Sequence, residues 1–310
     1  MERAEPEKAR GGDVSTLAPG LRRVVAPNPS PMTFTGTNTY ILGSGTGSGA
    51  VAVIDPGPAL PAHRDAILAA LAPSERVTAI LVTHSHLDHS PLAGPLSAAT
   101  GAPVLAAGPS DWGRSPTMER LAAQGQIGGG EGVDRDFTPD RQIADGEVLE
   151  GDWGAIEVIA TPGHMANHLS FAWRGALFSG DLVMGWSTSL VSPPDGDMGA
   201  FMASLARLAA RGAADRVYHP GHGDPVDAPA ARLQELITHR RARERQIAEA
   251  LRQGGPATAR ALAASIYSDL DARLLPAAER NVLAHLVDMV ERDLACTAGA
   301  PGADAVFALR

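Results

Sequence analysis

The chain is poor in cysteine, lysine and aromatic residues, and it has no long apolar run. Cys296 is the only cysteine, which excludes an internal disulfide. No apolar stretch approaches the roughly 20 residues that a membrane-spanning helix needs, so we expect no membrane segment. The first five residues are too polar for the core of a signal peptide, and we therefore expect a cytoplasmic protein.

The charge balance argues against a protein that is basic overall. Lys8 is the only lysine, and the 310 residues carry a formal net charge of −9. A globally basic nucleic-acid-binding protein is therefore disfavoured, although a local basic patch is not. With 4% aromatic and 44% hydrophobic residues the composition is that of a globular protein, whose core must consist mainly of Ala, Val and Leu.

Turn residues and hydrophobic periodicity divide the chain into three parts. Residues 1–20 are charged, aperiodic and punctuated by Gly and Pro, which predicts a flexible leader. In residues 21–225 short apolar strands alternate with helices, which predicts an α/β domain. Residues 226–310 show helical periodicity and predict a small helical domain. Within the α/β part, residues 108–132 predict a loop that forms a rim or lid.

Seven of the ten histidines lie in three short motifs, and each motif follows an apolar, strand-like segment. In the first motif His84 and His86 are two residues apart, so an extended backbone points both imidazoles to the same side. Asp88 and His89 follow as the chain turns toward a helix. The other candidate ligands also stand at the ends of predicted strands: His164 after Thr161-Pro162-Gly163, Asp181 after Ser179-Gly180, and His222 after Pro220-Gly221.

This set of side chains predicts a transition-metal centre. Imidazole and carboxylate ligands without thiolates suit zinc, are compatible with manganese or iron, and disfavour calcium and magnesium. Five histidines and two aspartates exceed the ligands of one structural zinc, but they suit two open sites that share a carboxylate. We therefore predict two Zn²⁺ ions per chain, which would hold a bridging hydroxide as the nucleophile.

The remaining histidines carry weaker signals. His168, four residues after His164, is a candidate catalytic residue together with Asp88, but a role in supporting the metal ligands is equally open. We expect His219 to be structural, and His63, His239 and His285 to be packing or surface residues.

On these motifs the chain resembles the metallo-β-lactamase superfamily, which uses a His-x-His-x-Asp-His run, a later His, a bridging Asp and a final His. The resemblance implies a four-layer αβ/βα sandwich. It also implies how the ligands divide: His84, His86 and His164 at one metal, Asp88, His89 and His222 at the other, and Asp181 between them.

A narrower resemblance is to the β-lactamase-like protein 2 group. It rests on three motifs of the N-terminal part, which are Gly36-Thr37-Asn38-Thr39-Tyr40, Ile54-Asp55-Pro56-Gly57 and Pro194-Asp195-Gly196-Asp197-Met198. The run from Asn281 to Leu286 is similar to the small winged-helix-like C-terminal domain of that group.

The resemblance implies a metallo-hydrolase but leaves the substrate open. We favour a small ester or thioester. The animal members of the narrower group are described as single-strand RNA endonucleases, so RNA stays open as a second substrate. The basic run Arg240, Arg241, Arg243 and Arg245 would suit phosphate, but Glu235, Glu244 and Glu249 interleave with it, which favours a solvated face of internal salt bridges.

Two further alternatives concern the class of protein and its assembly. Persulfide dioxygenases of the superfamily use a single iron bound by His, His and Asp, so an oxidoreductase is an alternative; His89 and His222 argue against it because they complete a second site. The C-terminal domain could cap the active site or form a homodimer, and the sequence does not choose between these roles.

Overall fold

Short strands rich in Val, Ile, Leu and Ala form two stacked sheets in the N-terminal part of the protein. The computed structural model describes residues 13–125, 132–268 and 270–310. The first sheet follows chain order, with strands β1 (Val14–Ala18), β2 (Leu21–Val25), β3 (Asn38–Leu42), β4 (Ser48–Ile54), β5 (Ser74–Leu81), β6 (Val104–Ala106) and β7 (Arg141–Gln142). Strands β1 to β4 pair antiparallel, and β4 to β7 pair parallel.

The second sheet has the spatial order β12-β11-β10-β9-β8. Its strands are β8 (Val148–Gly151), β9 (Gly154–Ala160), β10 (Leu169–Trp173), β11 (Ala176–Gly180) and β12 (Val217–Pro220). Strands β11 and β12 are parallel, because a helix connects them, and the other pairs are antiparallel.

Seven α-helices complete the described part of the chain. They are α1 (Pro61–Ala69), α2 (Ala93–Thr100), α3 (Pro116–Gln124), α4 (Met198–Ala210), α5 (Pro229–Gly254), α6 (Ala259–Ile266) and α7 (Leu275–Glu291). Proline in the first turn of α1, α3, α5 and α7 suits a helix start, where its missing N–H has no partner to lose. None of these helices combines the length and apolar character needed to span a bilayer.

The protein has the four layers of the predicted αβ/βα sandwich, with one hydrophobic core between the two sheets and one between each sheet and its helices. Leu42, Ile54 and Leu81 of the first sheet face Phe171 and Trp173 of the second. On the outer faces, α1 and α2 cover the first sheet, and α4 with the first half of α5 covers the second. Burial of these apolar side chains is the main force that holds the two sheets together. The four-layer fold is therefore confirmed.

The C-terminal part has its own core and a small third sheet, as a winged-helix domain requires. Strands β13 (Ala257–Thr258), β14 (Ala295–Thr297) and β15 (Val306–Leu309) pair in the order β13-β15-β14. Ile247 and Leu251 of α5 pack with α6, α7 and β15, whereas Leu233 and Leu236 of the same helix pack on the second sheet. Helix α5 is thus shared by both cores, and the domain boundary near residue 225 stays a prediction.

Two predicted irregular segments contain regular structure. Val14–Ala18 forms the edge strand β1 inside the predicted leader, since its alternate residues rest on the sheet while the others face solvent. Residues 1–12 lie outside the described part. In the predicted loop of residues 108–132, Pro116–Gln124 is helix α3, because Ser115 caps it and Met118 packs into the C-terminal core. The Gly128-Gly129-Gly130 triplet lies outside the described residues.

Candidate metal centre

The candidate ligands come together because each follows the C-terminal end of a strand at the same edge of the sandwich. Strand β5 leads into His84, β9 into His164, β11 into Asp181 and β12 into His222. In a layered α/β fold these ends form a natural crevice for a site. The structure brings all seven predicted ligands to this crevice.

The first group consists of His84, His86 and His164, whose ligand atoms all lie within 4.8 Å of one another. His86 Nδ1 lies 3.0 Å from His84 Nε2 and 3.0 Å from His164 Nε2. Two nitrogens bound to one tetrahedral zinc, at bond lengths of about 2.0–2.1 Å, lie about 3.3 Å apart. The three imidazoles therefore fit one metal ion.

The second group consists of Asp88, His89 and His222, again within 4.8 Å of one another. His222 Nε2 lies 3.3 Å from His89 Nε2 and 3.1 Å from Asp88 Oδ2. Two imidazoles and one carboxylate with this spacing also fit one metal ion.

Asp181 lies between the two groups. Its Oδ2 is 3.7 Å from His164 Nε2 of the first group and 3.3 Å from His222 Nε2 of the second. Its Oδ1 is buried without a hydrogen-bond partner among the described residues, which is costly for a carboxylate unless a cation neutralises it. The donor chemistry and this unpartnered oxygen together fit a pair of metal ions.

The protonation states of His84, His86 and Asp181 suit metal binding. Burial, assisted by the neighbouring imidazoles, lowers the pKa of His86 to about 3 and the pKa of His84 well below its usual value. Both rings are therefore neutral, which is the form that binds metals. Burial alone would raise the pKa of Asp181, but the adjacent His222 and His89 hold it well below the usual range, so the carboxylate is ionised.

Hydrogen bonds orient three of the imidazoles. His164 Nδ1 donates to the carbonyl of Leu190 at 2.7 Å, and His222 Nδ1 donates to the carbonyl of Gly36 at 3.2 Å. His89 Nδ1 lies 3.0 Å from Asp55 Oδ2. Because carbonyl and carboxylate oxygens only accept, these bonds place the proton on Nδ1 and leave Nε2 free for a metal.

His168 lies behind the ligands and does not line the cavity. Its Nδ1 is 2.9 Å from the Thr161 hydroxyl, its Nε2 accepts from the backbone N–H of Asp181 at 3.3 Å, and its ring stacks on His84. With 1% exposure it has no access to a substrate. This position favours the supporting role over the catalytic one, and a catalytic role of His168 stays a prediction.

Gly221 allows the close approach of the second group. A Cβ at this position would lie 2.3 Å from Asp181 Oδ1 and 2.6 Å from the ring of His89. The glycine of the Pro220-Gly221 turn is therefore required by packing. His219, in strand β12 just before this turn, packs against Tyr40 and Phe178, as expected for a structural residue.

The centre opens into a cavity of about 200 Å³. Met32, Val133 and Leu190 supply apolar walls, and Ser192 and Arg280 supply polar ones. Val133 stands directly after the predicted rim, so the end of that segment does border the site. Sequence reasoning missed Arg280, because it lies in α7, far along the chain from the metal motifs, and belongs to no recognised pattern.

The basic run of α5 does not form one solvated face. Arg240 is buried, and Arg243 stacks on the ring of Tyr267 at 4.1 Å. Glu244 pairs with Arg292, the residue directly after α7, instead of an arginine of the run. Among the described residues Glu235 pairs with Arg232 and Glu249 with Arg252, so the glutamates form salt bridges with arginines outside the run, because helical rotation spreads the run around the helix.

Comparison with known families agrees with this geometry. The model of the metallo-beta-lactamase superfamily matches residues 32–222, and that of the beta-lactamase associated winged helix domain matches residues 258–301. The chain belongs to the metallo-β-lactamase superfamily and carries the associated winged helix.

The part of this chain that aligns with a relative differs from one relative to the next. It is 35% identical over 155 residues to the Beta-lactamase-like protein 2 homolog of Caenorhabditis elegans, a match that spans 49% of each chain. It is 28% identical over 244 residues to an Atrochrysone carboxyl ACP thioesterase of Aspergillus chevalieri, spanning 78% of this chain and 68% of that protein. The crystal structure of a metallo-beta-lactamase family protein from Thermus thermophilus is 26% identical, with a TM-score of 0.74 over 95% of this chain and 100% of that chain.

Proposed function

We propose that this protein is a binuclear metal-dependent hydrolase that cleaves small esters or thioesters, with acyl thioesters as the preferred class. The observation that carries the proposal is the Asp181 carboxylate, which lies within 4 Å of imidazole nitrogens in both groups of ligands. We propose Zn²⁺ as the metal in both sites, and manganese and iron share the same donor preferences.

Bound metal ions at such a centre supply an activated water as nucleophile and polarise the carbonyl under attack. The chain's own residues prepare the site for this chemistry. Burial keeps His84 and His86 neutral, and Asp181 stays ionised. We assign Asp88 the role of a ligand that also faces the cavity, where it can accept a proton from an incoming water.

The shape and charge of the cavity support an acyl substrate that carries an anionic group. Met32, Val133 and Leu190 offer an apolar wall for an acyl chain. Asp195 also lines the cavity, but Arg114 neutralises it at 2.5 Å. Arg280 lines the same cavity, and a guanidinium can donate hydrogen bonds to a carboxylate or phosphate of the substrate.

Similarity to a named thioesterase supports the thioester over the other classes. Of the four arginines of the basic run, Arg240 is buried and Arg243 is stacked on Tyr267, which leaves Arg241 and Arg245 exposed, and two exposed arginines give little support for RNA. An iron dioxygenase binds a single metal ion and would not use Asp88, His89 and His222, which form a second complete group of ligands. Homodimerisation and a cytoplasmic location stay predictions.

The test combines metal analysis with substrate screening. We expect two equivalents of metal in the purified protein and turnover of thioesters above that of lactones, phosphodiesters and single-stranded RNA. Asp88→Ala should lower kcat by at least about a hundredfold, since it removes one ligand of the second group. Asp224→Ala is the matched control, because that carboxylate is 86% exposed and pairs only with Arg23 in the described structure.

Two results would overturn the proposal. One is full turnover by folded Asp88→Ala. The other is a single iron per chain with turnover that depends on oxygen, which would instead establish the dioxygenase.

A further inference from the structure

Arg240 of helix α5 is a buried cation. It is 2% exposed, and within the described ranges no carboxylate lies at ion-pair distance from it. Burial lowers the pKa of its guanidinium to about 10, so the group remains charged at neutral pH. A buried charge is costly unless hydrogen bonds compensate it. The hydrogen bonds of Arg240 therefore show which part of the protein it stabilises.

Those contacts hold a loop beside the metal centre. Arg240 Nη2 donates to the carbonyl of Ser189, and Nη1 donates to Asn281 Oδ1 of α7 at 3.1 Å. The same Asn281 oxygen accepts from the backbone N–H of Val191 at 3.2 Å. Two residues of the C-terminal part thus bind both ends of the segment Ser189–Val191.

This segment in turn touches two of the candidate ligands. The carbonyl of Leu190 accepts from His164 Nδ1 at 2.7 Å. The hydroxyl of Ser189 donates to the backbone carbonyl of Asp181. A shift of the segment would therefore turn the imidazole of His164 and move the backbone that carries Asp181.

The ring of Phe201 gives Arg240 a second connection to the same ligand. The guanidinium lies 5.0 Å from the centre of that ring. Phe201 packs so closely against Gly163 that a Cβ on the glycine would lie 2.2 Å from the Phe201 Cα. Arg240 therefore contacts two structures that hold His164 in place. One is the loop whose Leu190 carbonyl accepts the hydrogen bond from His164, and the other is Phe201, which packs against Gly163 next to it.

Arg232 is a second arginine of α5 that binds backbone carbonyls of the same loop. It lies eight residues before Arg240, about two helical turns, and so on the same side of the helix. Its Nε donates to the carbonyl of Met184 at 2.8 Å, and its Nη2 donates to the carbonyl of Ser187 at 2.6 Å. The two arginines hold the chain from residue 184 to residue 189 against α5.

We propose that Arg240 and Asn281 are positioning residues through which the C-terminal helices set the geometry of the His164 ligand and of Asp181. The proposal rests on the metal-dependent function above and adds a role for the C-terminal part inside that site. Outer hydrogen bonds of this kind orient metal ligands, and their removal typically weakens metal binding by about ten- to a hundredfold.

The test uses Co²⁺ as a spectroscopic probe in the full-length protein. Arg240→Met should weaken Co²⁺ binding by about ten- to a hundredfold, most strongly at the group of His84, His86 and His164, and should change the visible absorption of the bound Co²⁺. Arg243→Met is the matched control, because Arg243 lies on the same helix but makes no described hydrogen bond to the loop, and it should keep both affinities. Arg240→Lys, which keeps the charge but not the paired donors, should fall between them.

A second pair of variants covers the case in which Arg240→Met does not fold. Asn281→Asp keeps an oxygen acceptor for Arg240 and Val191, so it should retain the Co²⁺ spectrum. Asn281→Leu removes the acceptor, so this variant should lose the Co²⁺ spectrum of the wild type. Equal Co²⁺ binding by the members of each pair would overturn this proposal, whereas a wild-type protein that binds no metal would overturn the proposed function itself.

Discussion

Asp55 orients His89, although 34 residues separate them in the chain. The Oδ2 of Asp55 lies 3.0 Å from His89 Nδ1, and the same carboxylate accepts from the backbone N–H and the hydroxyl of Thr83, both at 2.7 Å. One buried carboxylate therefore fixes both the start of the histidine run and its last ligand. A charged acceptor on a ligand imidazole also raises the basicity of that ligand.

Asp55→Asn should weaken metal binding at the group of Asp88, His89 and His222. The amide keeps the size of the side chain but loses the negative charge that faces His89 Nδ1, and we expect an affinity about ten- to a hundredfold lower. Competition with a chromogenic chelator measures the effect. Asp152→Asn is the control, since Asp152 also accepts a backbone N–H of the first sheet, from Ala50, away from the metals. Equal affinities for the two variants would contradict the role of Asp55.

Arg280→Ala should raise KM for thioesters that carry a carboxylate or phosphate, by about tenfold or more, and leave neutral thioesters unaffected. A hydrogen bond to a charged group contributes about 1.5–3 kcal/mol, which sets this magnitude. Arg260→Ala is the control, because Arg260 lies at a neighbouring cavity, pairs with Glu279 and is 78% exposed. Steady-state kinetics on matched charged and neutral thioesters measure both KM values. An equal change in KM for the two substrates would show that Arg280 does not bind the anionic group.

His285→Leu should stabilise the protein more at pH 5 than at pH 7. Burial, together with Arg240, Arg243, His239 and Arg292 around it, lowers the pKa of His285 to about 3. Below the unfolded value of about 6.5 the unfolded chain takes up a proton that the folded chain refuses, so stability falls as the pH falls. At about 1.4 kcal/mol per pH unit, this histidine costs up to about 2 kcal/mol at pH 5.

Thermal unfolding of the variant and the wild type at both pH values measures this difference. His239→Leu is the control, since the side chain of His239 is exposed and its replacement should give a smaller change with pH. A Tm difference between His285→Leu and wild type that is the same at pH 5 and pH 7 would show that His285 takes up its proton in the folded state.

Local patterns predicted the sandwich, and they placed the candidate ligands at the strand ends where the structure has them. Val, Ile and Leu runs ended by Gly, Pro or Asp marked strands such as β5 and β11, and the ligands followed them directly. Strand β1 was missed because it is a short edge strand whose exposed residues carry little periodicity. Helix α3 was missed because its apolar face, with Met118 and Leu121, is narrow and is buried only by the C-terminal core.

The sequence by itself determined the superfamily, the four-layer fold and the seven candidate ligands, because side chains at neighbouring strand ends are brought together by rules that act over a few residues. Only the tertiary structure decided that Arg280 borders the cavity, that His168 lies behind the ligands, and that Arg240 reaches the carbonyl of Ser189, 51 residues away. The physical reason is that these contacts depend on how helices and loops pack in three dimensions, and a buried arginine has the same letter in the sequence as a solvated one.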